Sequence, residues 1–223
     1  MIIPLSDKIH RPKLGEGIFL TSDVAEILQL PYSKVRRWIV ELWDNRFANG
    51  QTYSFGEQGN KAINFYTLIE FYTFYQLRLK GISAQKIQKA HKIISRELHT
   101  AYPFATNIRT DGKEIWYGYL DELVNANGKQ QLDIKAILDP FLHKIEFGKN
   151  NLAELYFPLE KSKNVVVDPK KQFGQPVING SSLRINTIKK LHEGGETKKT
   201  ICLLYDLKSP EVEDALRYYK RAS

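Results

Sequence analysis

The chain has 223 residues, of which 42% are hydrophobic and 26% charged, so it has the composition of a globular protein and the length for one large core or two small ones. Its formal net charge of +8 points to a polyanionic partner, nucleic acid first and an acidic protein second. No apolar run is long enough to span a bilayer, and the single cysteine, Cys202, has no partner for a disulfide or metal site and is expected in a core.

Residues 1–17 carry Pro4, Pro12, Gly15 and Gly17 without periodicity and read as an irregular arm, whose Lys8, Arg11 and Lys13 either touch phosphate or are solvated. The segment lacks the apolar core and cleavage site of a signal peptide, so a cytoplasmic protein is expected. Residues 21–43 read as two short helices joined by a tight turn. Thr21 or Ser22 would cap the first, with Asp23 in its first turn and Val24, Ile27 and Leu28 on its buried face. Pro31 breaks the run at Gln29-Leu30. The second helix starts near Ser33, buries Val35, Trp38, Ile39 and Leu42, and leaves Lys34, Arg36, Arg37 and Glu41 outside. A short basic helix after a tight turn suits a major-groove reader, because guanidinium groups bridge phosphates or take guanine edges in pairs. The same face is also compatible with simple solvation.

Residues 48–65 place Gly50, Gly56 and Gly59 around two short β-forming stretches, 52–55 and 62–65, which makes a hairpin, or wing, with Lys61 as its cation. The aromatic stretch 67–80 puts Leu68, Phe71, Tyr72, Tyr75 and Leu79 on one core-facing side. Gly81 ends that helix. Ser83 caps the next, over 84–98, with Ile87, Ala90, Ile94 and Leu98 as its apolar line.

Beyond residue 100 the pattern turns toward strands. Asp111-Gly112 predicts a tight hairpin within 107–119, a second strand pair is placed around Asn127-Gly128, and a short helix over 132–138 precedes an extended segment at 142–147. From Val165 the chain reads as a strand stopped by Pro169, an extended segment interrupted at Asn179-Gly180, and helices over 186–193, 197–205 and 210–220. Ser209 as cap and Pro210 at the first helical position mark the last start, with Val212, Ala215, Leu216 and Tyr219 facing inward.

The five histidines, His10, His91, His99, His143 and His192, show no metal-ligand spacing. No nucleophile elbow, phosphate-binding glycine loop or Cys-x-x-Cys pair is present, so no cofactor or metal is expected and no residue is nominated as catalytic.

Lined up together, these segments resemble known families. Residues 21–98 resemble the winged helix-turn-helix of MerR-type regulators, through Val35-Arg36-Arg37-Trp38, the wing, and Leu79-Lys80-Gly81-Ile82-Ser83 at the joint of the following helix pair. Residues 165–223 resemble the domain of unknown function 433, through Asp168-Pro169, Phe173-Gly174-Gln175-Pro176-Val177-Ile178, Gly180, Gly194-Gly195-Glu196 and the start of the last helix. Ser182 and Arg184 stand where many members have arginine and proline. With Tyr102-Pro103-Phe104-Ala105 and Arg109-Thr110-Asp111-Gly112 between them, the two parts look like the two-domain VapB-type antitoxins. The long helix and ligand residues of metal-sensing MerR proteins are missing, which argues against a sensor.

The expectation is a mainly α fold with small β elements: a winged helix-turn-helix over 1–100, a β-rich connecting region over 101–164 and a small three-helix domain over 165–223. Ser33, Lys34, Arg36, Arg37 and Lys61 are the expected DNA contacts. The resemblance implies a non-enzymatic antitoxin that binds its own operator as double-stranded DNA, forms a homodimer, and holds a PIN-like ribonuclease toxin through its C-terminal domain. A stand-alone MerR-like regulator, or a protein-interaction module whose lysines meet an acidic partner, is the alternative.

Overall fold

The computed structural model describes residues 13–48, 52–57, 59–107 and 141–221. The fold is mainly α-helical with small antiparallel sheets. Lys8 and Arg11, the expected hairpin at Asp111-Gly112, the strand pair at Asn127-Gly128 and the helix over 132–138 lie outside the described residues.

Strand β1 (Phe19–Leu20) leads directly into α1 (Thr21–Leu28). Its cap is Leu20 rather than Thr21 or Ser22: the Leu20 amide donates to Asp23 Oδ2 at 2.9 Å, while the Thr21 hydroxyl reaches the Lys61 carbonyl. The turn is made by Gln29 in the left-handed region, at φ 55°, within the Gln29-Leu30 break expected from Pro31. Helix α2 (Tyr32–Arg37) follows, and from Trp38 to Arg46 the winding widens to a π-helix. This departs from the continuous α-helix read in the sequence, and the reason lies in the packing. Residues five apart diverge by about 140° on an α-helix, whereas i→i+5 bonding brings them onto one face. The wider turn buries both Trp38 and Trp43, and leaves Leu42 only half-buried. Trp43 stacks on Phe47 at 4.6 Å, and Trp38 meets Phe74 edge-on at 5.0 Å.

The hairpin is formed by β2 (Ser54–Phe55) and β3 (Ala62–Ile63), and β1 joins it as a third strand in the order β1-β3-β2. Phe65, expected at the end of a strand, opens α3 (Phe65–Leu79) instead. Asn64 caps that helix through the Thr67 amide and donates to the Tyr102 hydroxyl at 2.9 Å. Helix α3 is buried nearly all round, with Ile69, Phe74 and Leu77 added to the expected stripe, while Leu79 is 61% exposed. Helix α4 (Ala84–Glu97), capped by Ser83, packs Ile87, Ala90 and Ile94 inward as expected, together with His91.

The same core continues beyond residue 100. Ala101, Tyr102, Phe104 and Ala105, the last two in a 3₁₀ turn (Pro103–Ala105), share it with Phe141, Ile145, Ala153 and Tyr156. A hairpin of β4 (Ile145–Phe147) and β5 (Ala153–Tyr156) carries the last three of these.

Strands β6 (Val165–Val166) and β7 (Val177–Ile178) pair antiparallel and precede α5 (Ile185–Glu193), α6 (Lys198–Tyr205) and α7 (Ser209–Lys220). Their core is Val165, Ile178, Ile185, Ile188, Ile201, Val212, Ala215 and Tyr218. Tyr218, not Tyr219, is the fully buried aromatic of α7, and the helix begins at Ser209 with Lys208 as cap, whose amide donates to Glu211. Cys202 is partly buried against this core. Buried Asp214 accepts the backbone and side-chain N–H groups of Asn164 at 3.1 and 2.8 Å, which ties α7 to the start of the unit.

The chain around β6 also packs on the N-terminal part: Val167 joins the first core and exchanges backbone hydrogen bonds with Tyr156, and the Ile18 amide donates to the Phe173 carbonyl at 2.8 Å. Gly174, at φ +89°, lies so close to the Phe19 ring that a Cβ would stand 2.3 Å from Phe19 Cζ.

Candidate nucleic-acid interface

Four of the five residues expected to contact DNA border one cleft. Ser33, Arg36 and Arg37 line it from α2, and Lys61 lines it from the residue before β3, around a volume of about 470 Å³ with Gly59 of the hairpin at its edge. Ser33, Arg36 and Arg37 are exposed, because Val35 and Trp38 take the inward positions of the helix and turn the guanidinium groups out. Nothing on the helix pairs with Arg36 or Arg37 among the ion pairs of the described residues.

Lys34 faces the other way. Its ammonium lies 4.9 Å from the Tyr75 ring centroid and 5.4 Å from that of Trp38, and it borders a second groove that Arg37, Arg46 and Arg78 also line. Arg37 borders both hollows, so the basic helix stands as a ridge between them.

Lys61 is not a free cation. Its Nζ is ion-paired with Asp44 Oδ2 and lies 3.0 Å from Ser54 Oγ. Asp44 was not singled out in the sequence, yet its carboxylate also accepts the Tyr53 and Ser54 amides, each at 3.1 Å, and the Ser54 hydroxyl. One side chain therefore joins the widened helix to the root of the hairpin. The hairpin tip depends on glycine: at Gly56, with φ +91°, a Cβ would come within 2.6 Å of the Asn60 carbonyl oxygen.

Beneath this face lies a buried polar pair that sequence spacing did not reveal. Glu70 of α3 and His91 of α4 meet at 2.8 Å between Oε2 and Nε2, and the Phe104 amide donates to Glu70 Oε1 at 2.6 Å. Burial drives the Glu70 carboxyl above its ordinary range, opposed by His91 and by the Phe104 and Ala105 amides. His91 Nδ1 has no hydrogen-bond partner, so the tautomer with its hydrogen on Nε2 is the one that fits. The pair fastens α3 to α4 and to the 3₁₀ turn.

On the C-terminal side, Glu26 of α1 faces Lys189, Tyr218 and Arg221, and its carboxyl is raised chiefly by burial. Helix α6 leaves Leu203 76% and Leu204 60% exposed. Among the described residues no group of three or more His, Cys, Asp or Glu side chains could hold a metal ion, and no helix is long and apolar enough to cross a membrane.

Comparison with known proteins adds to this geometry. Residues 165–219 match the model of a family described as "Protein of unknown function (DUF433)". Over 165 residues, 68% of this chain and 69% of the other, the sequence is 26% identical to a Mycobacterium tuberculosis protein named "Putative antitoxin VapB45". The crystal structure of Rv2018 from the same organism has a TM-score of 0.70 with this chain, covering 93% of this chain and 98% of that one at 22% identity, a likeness of fold. The chain is thus similar over its C-terminal stretch to a family of unknown function and over about two thirds of its length to a protein named as an antitoxin.

Proposed function

We propose that the chain is a cytoplasmic, dimeric, DNA-binding antitoxin that represses its own genes and neutralises a PIN-like ribonuclease toxin. The DNA half rests on one observation: Ser33, Arg36 and Arg37 stand exposed on a short helix beside a glycine-tipped hairpin. In the manner of MerR-type regulators, that helix enters the major groove, Arg37 and Arg36 meet base edges and phosphates, and Ser33 donates to the backbone. Lys34, held over Tyr75 and Trp38, flanks the contact, and Lys61 belongs to the same face through its place at the hairpin root. A homodimer would place two such helices on half-sites one helical turn apart, which multiplies a single weak contact.

The toxin half is carried by the likeness to the mycobacterial relative, with the C-terminal unit as partner surface and dimer contact. The test is to co-express the chain with the adjacent reading frame. A complex that elutes together, with a neighbour that stops growth when expressed alone, supports the antitoxin; separate elution beside a harmless neighbour removes the toxin half. One observation favours the second reading, a stand-alone regulator or interaction module: exposed Lys170, Lys190 and Lys199 spread positive charge over the C-terminal unit, away from the basic helix. Under that reading the chain elutes alone or with an acidic protein other than the neighbour.

A further inference from the structure

We infer that Asp44 is a positioning residue of the proposed DNA interface: its carboxylate clamps the hairpin to the basic helix and withholds Lys61 from direct contact with phosphate. The inference rests on the DNA reading above and adds to it a residue that acts through others. The β2–β3 ladder has only two residue pairs, Ser54 with Ile63 and Phe55 with Ala62. A ladder this short is marginal without outside support. Strand β1 backs the ladder on its β3 side, and Asp44 supplies the support on the β2 side from the π-helical turn that continues α2, taking the two amides and one hydroxyl where the hairpin's first strand begins, and one ammonium just before its second.

Hydrogen bonds to an ionised carboxylate are the stronger kind, and Asp44 is only 11% exposed at its side chain, so water competes weakly for them. A hairpin held in this way meets DNA already oriented; a loose one would have to be ordered on binding, at a cost in affinity. The Lys61 ammonium is neutralised in the same contact and cannot displace a counterion from DNA without giving up Asp44. Loss of the clamp therefore lowers affinity without lowering the salt dependence, while loss of a true phosphate contact lowers both.

The experiment measures binding to a duplex covering the sequence upstream of the chain's own gene, over a series of salt concentrations, at a temperature where circular dichroism shows each variant folded. Asp44→Ala weakens affinity about tenfold with the salt slope not reduced, and the Tyr53 and Ser54 amides exchange faster with deuterium. Asp44→Asn keeps an acceptor for both amides and recovers affinity to within about threefold of the parent. Lys61→Met leaves the slope unchanged. An Asp44→Ala affinity within about twofold of the parent overturns the inference, as does a Lys61→Met slope lower by about one contact. If the parent binds no duplex while its Tyr53 and Ser54 amides are protected, the DNA reading itself falls, and this inference with it, although the clamp stands as structure.

Discussion

Replacing His91 by leucine tests the buried pair at the centre of the N-terminal core. Both partners are out of solvent, His91 at 1% and Glu70 at 0% exposure of their side chains, so nothing but protein can satisfy the carboxylate. His91→Leu removes the Nε2 partner of Glu70 Oε2 and leaves the carboxylate with the Phe104 and Ala105 amides alone. Breaking a buried pair from one side costs about 3–5 kcal/mol, a large part of the roughly 5–15 kcal/mol that stabilises a typical domain.

Proton uptake moderates that cost. Burial already raises the Glu70 carboxyl, and His91 is the largest influence opposing the rise, so the variant's carboxyl climbs further. A carboxyl whose folded-state pKa is raised binds its proton more tightly in the folded chain. The stability this adds is fully present below the ordinary carboxylate range and is lost as pH rises through the raised value. The penalty of His91→Leu is therefore small near pH 4 and grows toward neutrality. Urea unfolding at roughly pH 4.5 and 7.5 reads it, as a midpoint lowered by about 1–2 M at the higher pH and much less at the lower. A neutral-pH penalty below about 1 kcal/mol, or the same penalty at both pH values, refutes the reasoning.

Two further variants probe how the halves fit together. Gly174→Ala forces a methyl group against the Phe19 ring at a backbone φ of +89°, and thermal unfolding should show a loss of about 2–3 kcal/mol; an unchanged midpoint contradicts the close packing. Glu26→Gln removes a half-buried carboxyl whose raised pKa favours the folded state at low pH and loses that benefit as pH rises through it, so the variant's stability varies less with pH than the parent's. A variant less stable than the parent at neutral pH would mean that the attraction to Lys189 outweighs burial.

What could be read from the sequence was what local chemistry decides. Ser83 caps its helix as expected, Gly194-Gly195 follows α5, and the outward set Ser33, Arg36 and Arg37 follows from the inward set Val35 and Trp38. What could not be read depends on distant partners. Lys61 looked like a lone wing cation because Asp44 is seventeen positions away, and His91 looked scattered because Glu70 is twenty-one away on another helix. Strand β1 is two residues long and exists through its pairing with β3, which no local pattern encodes. The π-helical turn arises from the choice of Trp43 over Leu42 for the core, a decision made by Phe47, Phe71 and Phe74 around it. A signal for Asp44 did exist: a carboxylate on the same helix as two arginines, left unpaired by them, needed a donor elsewhere.

The most direct measurement of the central claim is the salt dependence of operator binding for Arg36→Ala combined with Arg37→Ala. Both side chains are exposed, so the variant folds as the parent does. If both touch phosphate, the slope of log affinity against log salt falls in magnitude by about 1.8, and affinity at low salt falls with it. A folded variant with the parent's affinity and slope would contradict the assignment of this helix to DNA.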